Sequence, residues 1–197
     1  MEASKENIVS TRNRYGILAS GMVVQLFAGI LYLWSVFRVP VAEHLNWDPG
    51  AASRTSSIML ATFVLGIILG GRLQDKLGPK IATLAGGVLF SLGLILTAFV
   101  KESAPWLVYI TYATLGGVGV GTVYIATIAA VQKWFPDRRG FASGMIVSSF
   151  GISTVLFTPV VKAMLDNMGV SRTFLIFGVG FLVVFSLCAL ALQNPCR

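Results

Sequence analysis

The sequence predicts an all-α integral membrane protein in which six transmembrane helices form two inverted repeats of three helices. Of its 197 residues, 55% are hydrophobic and only 12% are charged, whereas an ordinary soluble domain has about 25% charged residues. The charges are also excluded from six stretches, each close to or above the roughly 17–25 residues that a helix needs to cross about 30 Å of hydrocarbon. A short motif, DKLG at 75–78 and DNMG at 166–169, occurs twice and indicates the repeat.

The charge-free stretches define the predicted spans, which lie near 15–37, 53–71, 81–100, 105–131, 141–163 and 173–192. A polar segment, 1–14, precedes them and a short tail, 193–197, comes after them. We expect no cleaved signal peptide, because the first apolar run is too long and leads into Arg38-Val-Pro instead of a small-residue cleavage site. A soluble protein with six such helices would have too little polar surface to cover them.

The distribution of Lys and Arg predicts the orientation, since cytoplasmic loops carry the excess of cations. Ten of the 15 fall on one predicted side: Lys5, Arg12, Arg14, Arg72, Lys76, Lys80, Lys133, Arg138, Arg139 and Arg197. The other five are Arg38, Arg54, Lys101, Lys162 and Arg172. We therefore expect a multi-pass protein of the cell membrane with both termini in the cytoplasm. Cations beside anionic lipid then explain the net charge of +7 without a nucleic acid partner.

Titratable and nucleophilic side chains predict neither an enzyme nor a metal site, and no cofactor is expected. His44 is alone on a predicted external loop, without the further ligands that a metal needs. Cys188 and Cys196 lie in and just after span six and suggest no disulfide framework. No Ser/His/Asp set or carboxylate pair falls within a span. The glycine run LGGVGVGT, 115–122, departs from GxGxxG and has no preceding strand, so it does not indicate a nucleotide site.

Two pairs of glycines, Gly66 with Gly70 and Gly117 with Gly121, are each spaced four residues apart. This spacing places both members on one helical face, where small residues let neighbouring helices approach closely. The helices of a transporter that rock against one another require such packing. Any helical bundle requires it equally, so the glycines do not distinguish between these interpretations.

The segment GGRLQDKLGPK, 70–80, joins predicted spans two and three and forces them to run antiparallel. Gly78-Pro79 interrupts a continued helix. The Asp75 carboxylate can accept hydrogen bonds from free amides at the start of a neighbouring helix. Lys76 and Lys80 can reach phosphates or helix C-terminal carbonyls. A loop that only fixes topology needs the cations but neither the aspartate nor the glycines.

The motif repeat has an offset of 91 residues, which relates spans one to three to spans four to six. Because three is odd, the second unit is inverted across the membrane. This inversion explains why the first copy of the motif carries lysines and the second does not. Four-letter matches also arise by chance, which remains the alternative.

GGRLQDKLGPK resembles the loop signature of the major facilitator superfamily, G-x-L-x-D-[RK]-x-G-[RK]-[RK]. The matching residues are Gly71, Leu73, Asp75, Lys76, Gly78 and Lys80, and Pro79 departs from the usual cation. KWFPDRRGFASGM, 133–145, is similar to the loop after the fourth helix of the same superfamily. YLWSVFRVPVAEHLNW, 32–47, and GTVYIATIAAVQKWFPDRRG, 121–140, narrow the resemblance to the oxalate/formate antiporter family and its monocarboxylate-carrying relatives.

The resemblance implies roles for two cytoplasmic loops. The gating loop, formed by Gly71, Asp75, Lys76, Gly78 and Lys80, is implied to lock the cytoplasmic ends of two six-helix halves in the outward-open state. Asp75 is assigned the locking contact, with a helix end of the second half as its partner. The second cytoplasmic loop comprises Asp137, Arg138, Arg139 and Gly140.

The resemblance also implies a central cavity for a small carboxylate, lined by aromatic side chains. The candidates are Tyr32, Trp34, Tyr124 and Phe150, with Gln25 as a cavity residue or a helix contact. Tyrosine hydroxyls and an indole can hold a carboxylate that sheds water at mid-membrane. Trp34 is equally suited to a position at the membrane interface. Arg38 can draw anions to the outer mouth or extend to the lipid headgroups.

Two departures from the family bear on function. The neighbourhood TYATLGGVG, 111–119, lacks the arginine of many proton-coupled members, and no ionisable side chain lies in the middle of a predicted span. Anion exchange or facilitated passage is therefore favoured over proton symport. The chain also has the length of one half, and the basic residues that neutralise the substrate are implied to lie in the other half.

Three hypotheses are compatible with these observations. In the first, the chain is the N-terminal half of a transporter that moves oxalate, formate or monocarboxylates by alternating access, with a C-terminal six-helix half as partner. In the second, it is a half-size carrier that dimerises with a second copy. In the third, it is a non-transporting six-helix membrane protein that associates with a full-length relative.

Overall fold

The computed structural model describes residues 2–191, with side chains over 14–189. The predicted tail 193–197, with Cys196 and Arg197, therefore lies outside the described residues, as do the end of predicted span six at 192 and the side chains of Lys5 and Arg12. The elements in chain order are α1 (Glu2–Ala28), a 3-10 helix (Gly29–Leu33), α2 (Trp34–His44), α3 (Pro49–Leu77), α4 (Pro79–Ala98), a π-helix (Tyr109–Gly116), α5 (Gly117–Trp134) and α6 (Arg139–Ala191). Residues 2–191 include no β-strand.

Five helical stretches within the described residues are long and apolar enough to cross a membrane. They are Arg14–His44, Pro49–Leu77, Pro79–Ala98, Tyr109–Trp134 and Arg139–Ala189. The prediction of an all-α protein with membrane-spanning helices is therefore confirmed. The first four agree with predicted spans one to four in order, although the first two are longer than predicted.

The fifth stretch folds back on itself. Its 51 residues would measure about 76 Å as a straight helix, but Gly169 breaks it with φ 78° and ψ 176°. Phe157 and Phe177 flank the break, and their ring centroids are 6.4 Å apart, whereas 20 residues of straight helix would separate them by about 30 Å. α6 therefore consists of a first arm, 139–168, and a second arm, 170–191, that run antiparallel.

The segment predicted as a basic loop between spans two and three is mostly helical. α3 continues to Leu77 and α4 begins at Pro79, so Gly78 alone separates them, with φ 86° and ψ 166°. A positive φ is accessible to glycine at little cost, and Pro79 at the first position of α4 fits a helix start. Charged residues at helix ends extend to water, so Arg72, Asp75 and Lys76 are compatible with a helix that projects beyond the apolar layer.

The predicted glycine contacts are confirmed, and they join α3 to α5. A Cβ atom added to Gly70 would lie 2.5 Å from Cα of Thr122, and one added to Gly121 would lie 2.9 Å from the backbone nitrogen of Ile67. On a different face of α5, a Cβ on Gly119 would lie 2.6 Å from the backbone nitrogen of Phe90 in α4. α5 therefore packs backbone to backbone between α3 and α4.

Contacts at the two ends of the bundle show how the helices alternate in direction. At one end, Arg14 pairs with Asp137, which joins the start of the apolar part of α1 to the α5–α6 connection. At the other end, His44 lies 3.2 Å from the hydroxyl of Ser171, just after the break in α6. We name these the Arg14 end and the His44 end. α3 runs from the His44 end to the Arg14 end, where Gly78 lies.

Candidate functional site

Four aromatic side chains from four different elements converge on one face of the bundle. We call them the aromatic cluster: Tyr32 from the 3-10 helix, Phe63 from α3, Tyr124 from α5 and Phe150 from the first arm of α6. Ring centroids are 5.3 Å apart for Tyr32 and Phe150, 5.2 Å for Tyr124 and Phe150, and 5.5 Å for Phe63 and Tyr124. These three pairs meet edge to face, which is a favourable geometry for aromatic rings.

The aromatic cluster lies near the midpoints of its helices. Phe63 is the central residue of Pro49–Leu77, and Tyr32 falls close to the middle of Arg14–His44. The 3-10 helix that carries Tyr32 lies tightly against α6, since a Cβ on Gly29 would overlap the Phe150 carbonyl and lie 2.6 Å from Cβ of Ser153. This close approach holds the Tyr32 and Phe150 rings together.

The aromatic cluster opens to the surface of the described chain. Tyr32 is 45% exposed, Phe63 and Tyr124 are partly buried, and Phe150 is only 4% exposed beneath them. Neighbouring turns of α3 and α6 add exposed apolar side chains at Leu60, Val64 and Val147. The cluster is therefore part of an apolar face that is not covered by the described residues.

Chemically, the aromatic cluster offers two hydroxyl donors in an apolar setting. Within residues 14–189, the hydroxyls of Tyr32 and Tyr124 form no hydrogen bond with protein atoms. A phenol hydroxyl can donate to a carboxylate oxygen, and Phe63 and Phe150 offer ring edges and faces to apolar groups. No described cation belongs to the cluster, so these four side chains alone leave an anionic charge uncompensated.

Gln25 joins the helices behind the aromatic cluster. It is fully buried, and its side-chain amide donates to the backbone carbonyl of Tyr124 at 3.1 Å. Its side-chain oxygen has no partner among the described residues. Of the two roles considered for Gln25, the structure gives it a helix contact, and this contact fixes α1 against the turn of α5 that carries Tyr124.

Trp34 lies apart from the other cavity candidates. It is 2% exposed, stacks obliquely on Tyr112 with a centroid distance of 4.7 Å, and donates from its indole to the Ala52 carbonyl at 3.0 Å. Residues two apart point about 160° away from each other around an α-helix and about 120° around a 3-10 helix. Tyr32 and Trp34 therefore project to different sides, Tyr32 to the open face and Trp34 to the core.

The gating-loop residues lie at the Arg14 end around the α3–α4 junction. Asp75, Lys76 and Lys80 are exposed, and Gly71 has no atom within 4 Å of an added Cβ. Within residues 14–189, the Asp75 carboxylate forms no hydrogen bond or ion pair. Asp75 occupies the last turn of α3, where its charge is free to contact a group beyond the described residues.

The segment predicted as the second cytoplasmic loop is fixed to the first helix. Asp137 forms an ion pair with Arg14, whose guanidinium also lies 4.8 Å from the centre of the Phe135 ring. The backbone amide of Asp137 and the Arg14 guanidinium hold the pKa of the Asp137 carboxyl below its usual value of 3.8. Arg138, Arg139 and Gly140 are exposed, the last two in the first turn of α6.

Arg38 lies at the His44 end, where its guanidinium donates to the Ser53 hydroxyl at 3.2 Å. With Glu43, Asn46 and Trp47 it borders an open cavity of about 300 Å³. Within the described part of the chain, no group of three or more His, Cys, Asp or Glu side chains has the arrangement of a metal site. Arg38 is thus an exposed cation at the His44 end of the bundle.

Phe63 is the cluster residue that the sequence did not identify. It is one apolar residue in the apolar stretch IMLATFVLGIILG, 58–70. Its position opposite Gly121 offered a signal, since the glycine-to-glycine packing of α3 and α5 fixes the rotation of α3 and thereby turns Phe63 towards Tyr124. Predicting this rotation from the sequence would require knowing which glycines of the two helices are in contact.

The sequence is similar to known proteins over most of its length. The model of the family described as Major Facilitator Superfamily matches residues 16–196. The oxalate:formate antiporter of Oxalobacter formigenes is 31% identical over 187 residues, which cover 93% of this chain and 43% of that protein. Monocarboxylate transporter 12-B of Danio rerio is 34% identical over 164 residues, which cover 82% of this chain and 33% of that protein.

An uncharacterized MFS-type transporter of Escherichia coli (strain K12) is 27% identical over 167 residues, which cover 85% of this chain and 41% of that protein. The chain therefore spans less than half the length of each of these relatives.

Proposed function

The chain belongs to the Major Facilitator Superfamily, and from this premise we propose that it is the N-terminal half of a transporter of small organic anions. The proposed substrates are carboxylates of the oxalate, formate or monocarboxylate type. Transport proceeds by alternating access, in which one six-helix half rocks against another around a central site. The relatives named as an oxalate:formate antiporter and a monocarboxylate transporter support the substrate class.

We further propose six crossings in two inverted three-helix repeats. A shift of 91 residues carries the bounds of α3, Pro49–Leu77, onto 140–168, and those of α4, Pro79–Ala98, onto 170–189. These ranges agree within about two residues with the two arms of α6. Because α6 folds back at Gly169, each arm is one crossing, and the second three helices reproduce the first three in the opposite direction.

Packing between the proposed repeats supports the same relation. Phe90 and Phe181 are 91 residues apart and stack on each other, with centroids 5.8 Å apart and planes at 24°. Gly87 and Gly178 are also 91 residues apart, and each admits a side chain of the opposite repeat, Phe185 and Ile95 respectively. Reciprocal contacts of this kind are expected near a pseudo-two-fold axis between α4 and the second arm of α6.

The observation that carries the proposed function is the aromatic cluster. Its four rings come from the first, second, fourth and fifth crossings and lie near their midpoints, the depth at which transporters of this type bind substrate. The hydroxyls of Tyr32 and Tyr124 are free within the described residues to donate to a carboxylate. The exposed apolar face around them is the surface that a second six-helix half would cover.

A second half completes the site in this proposal. Holding a carboxylate at mid-membrane without a positive charge is costly, and the aromatic cluster includes no described cation. We propose that cations of the other half face Tyr32 and Tyr124 across the cavity. Asp75 contacts the other half at the cytoplasmic end and closes it in the outward-open state, and both termini lie in the cytoplasm of a cell-membrane protein.

The test is exchange of labelled oxalate, formate, lactate and pyruvate by vesicles that contain the native gene product. Tyr32→Phe and Tyr124→Phe each remove one hydroxyl and leave the ring. Hydrogen bonds to charged groups contribute about 1.5–3 kcal/mol, so we expect each change to lower kcat/KM by about ten-fold or more. Tyr15→Phe is the matched control, since Tyr15 lies at the Arg14 end against Phe135.

The outcomes separate the hypotheses. Exchange that falls in both cluster variants and not in the control supports the proposal. Exchange by residues 1–197 expressed alone would instead support a half-size carrier that pairs with a second copy. Absence of exchange of all four acids by the native gene product would reject the proposed substrate class.

A further inference from the structure

Two single-residue hinges of the same conformation lie at opposite ends of the bundle. Gly78 separates α3 from α4 with φ 86° and ψ 166°, and Gly169 separates the arms of α6 with φ 78° and ψ 176°. Their dihedral angles are closely similar, and their positions differ by 91 residues. Gly78 lies at the Arg14 end, and Gly169 lies at the His44 end, two residues before Ser171, which contacts His44.

An aspartate precedes each hinge by three residues, in the last turn of a helix. Asp75 occupies this position in α3 and Asp166 in the first arm of α6. The C-terminal end of a helix carries partial negative charge, so a carboxylate in the last turn is locally unfavourable. Both hinges nevertheless place an aspartate there.

Each carboxylate has a cation about one turn earlier on its own helix but forms no ion pair with it. Asp75 and Asp166 are exposed, and within residues 14–189 neither forms a hydrogen bond or an ion pair. Asn167, the neighbour of Asp166, donates its side-chain amide to the Ala163 carbonyl at 2.6 Å instead. A local cost that recurs at equivalent positions, without a hydrogen bond or ion pair to offset it, indicates a contact outside the described chain.

The two hinges differ in their flanking charge. Lys76 and Lys80 accompany the first, and the corresponding positions of the second are Asn167 and Ser171. Anionic headgroups can therefore bind beside the first hinge, whereas the second offers them no cations at these positions. What the hinges share is the aspartate and the glycine, so the shared role belongs to these two residues and not to the lysines.

We propose that Asp166 is a positioning residue that closes the His44 end, as the counterpart of Asp75 at the Arg14 end. In the inward-open state its carboxylate accepts hydrogen bonds from donors on the other half, and opening of the His44 end breaks them. Inversion of the repeats places the two aspartates on opposite sides, so each stabilises the state in which its own end is closed. This inference rests on the proposed function and assigns a second gate to it.

The test measures how accessible the His44 end is to a thiol reagent. Val39 is half exposed on α2 and lies seven residues after Tyr32, which places it on the same face. The reporter is Val39→Cys in the native gene product, with Cys188 and Cys196 changed to serine. Its reaction with a membrane-impermeant maleimide is followed from the outer side in Asp166→Asn, Asp75→Asn and the control Glu102→Gln. The control removes an exposed carboxylate at the same end of the bundle that belongs to neither hinge.

We expect Asp166→Asn to raise the labelling rate by about five-fold or more, which is the lower end of typical coupling between distant sites. Asp75→Asn should lower the rate, and Glu102→Gln should leave it unchanged. Asp166→Ser, which also removes the charge, gives a second variant if Asp166→Asn fails to insert. An unchanged rate in the Asp166 variants, or a change in the same direction as Asp75→Asn, would overturn the inference.

Exchange of labelled carboxylates by the same preparations separates this inference from the proposed function. If carboxylates are exchanged but the labelling rate at position 39 is unchanged in the Asp166 variants, the Asp166 gate is rejected and the proposed function is retained. A change in labelling without exchange supports the gate and rejects the proposed substrates.

Discussion

Gly66 and Gly121 bring the backbones of α3 and α5 into direct contact, since a Cβ atom on Gly121 would lie 3.0 Å from the carbonyl carbon of Gly66. The short distance between these helices depends on the absence of side chains at both positions. Because α3 carries Phe63 and α5 carries Tyr124, the same contact fixes half of the aromatic cluster.

Gly121→Ala should therefore destabilise the fold. The added methyl group would overlap the Phe63 carbonyl and lie 2.9 Å from the Ile67 nitrogen, both of which are backbone atoms. Overpacking of this kind costs about 1–3 kcal/mol, and we expect a lower Tm in detergent. Gly144→Ala is the control, because an added Cβ there meets no atom within 4 Å and alanine favours a helix. Equal Tm values for the two variants would contradict the packing described.

Trp34→Phe should lower stability without a selective loss of substrate affinity. The change removes the indole hydrogen bond to the Ala52 carbonyl, and a hydrogen bond of this kind contributes about 0.5–1.5 kcal/mol. Thermal unfolding and the KM for exchange are measured on the same preparation. A raised KM at unchanged Tm would contradict this result and would indicate that Trp34 contacts the substrate.

Phe150→Tyr should strengthen carboxylate binding, because it adds a third hydroxyl to a ring that contacts both Tyr32 and Tyr124. A further hydrogen bond of about 1.5 kcal/mol to a charged group lowers KM by roughly ten-fold. Phe157→Tyr is the control two turns along the same helix, where the ring packs against Phe27 and Phe177. A similar KM for Phe150→Tyr and the parent would argue against carboxylate contact at this ring.

The Arg14–Asp137 ion pair should make stability depend on pH at the acid end. The folded-state pKa of Asp137 is lowered by its own backbone amide and by Arg14. The contribution of Asp137 to the stability of the fold is therefore fully present above the pKa that this carboxyl has in the unfolded chain. It is lost as the pH falls through the lowered folded pKa. The Tm difference between the parent and Asp137→Asn should therefore be constant from neutral pH down to about pH 5 and shrink below about pH 4. A difference that is unchanged at acid pH would contradict this assignment.

Much of the fold could be predicted from the sequence, because hydrocarbon excludes charge and the uncharged stretches mark the helices. The helix ends could not be predicted in this way. The charges of Arg72, Asp75 and Lys76 are typical of a loop, although α3 continues through them to Leu77. A charged residue one turn beyond the apolar layer is equally compatible with a helix and a loop. The pattern therefore marks where the apolar layer ends, not where the helix ends.

The candidate site could be predicted only in part. Tyr32, Tyr124 and Phe150 come together, but Trp34 lies in the core, because residues two apart in a helix project to different sides and Tyr32 and Trp34 cannot both face the cluster. The spacing excludes a shared face for these two side chains, but it does not decide which of them is buried. Phe63 joins the cluster through the packing of α3 on α5, which involves glycines more than 50 residues apart in the chain.

The most direct measurement on the aromatic cluster is protection of a cysteine at position 63 by substrate. Phe63→Cys is made in the native gene product with Cys188 and Cys196 changed to serine, and its reaction with a thiol reagent is followed with and without saturating carboxylate. Ile176→Cys, on an exposed part of the second arm of α6, is the control. We expect the carboxylate to slow labelling at position 63 and not at position 176, whereas equal labelling rates with and without carboxylate at position 63 would contradict a substrate pathway through the cluster.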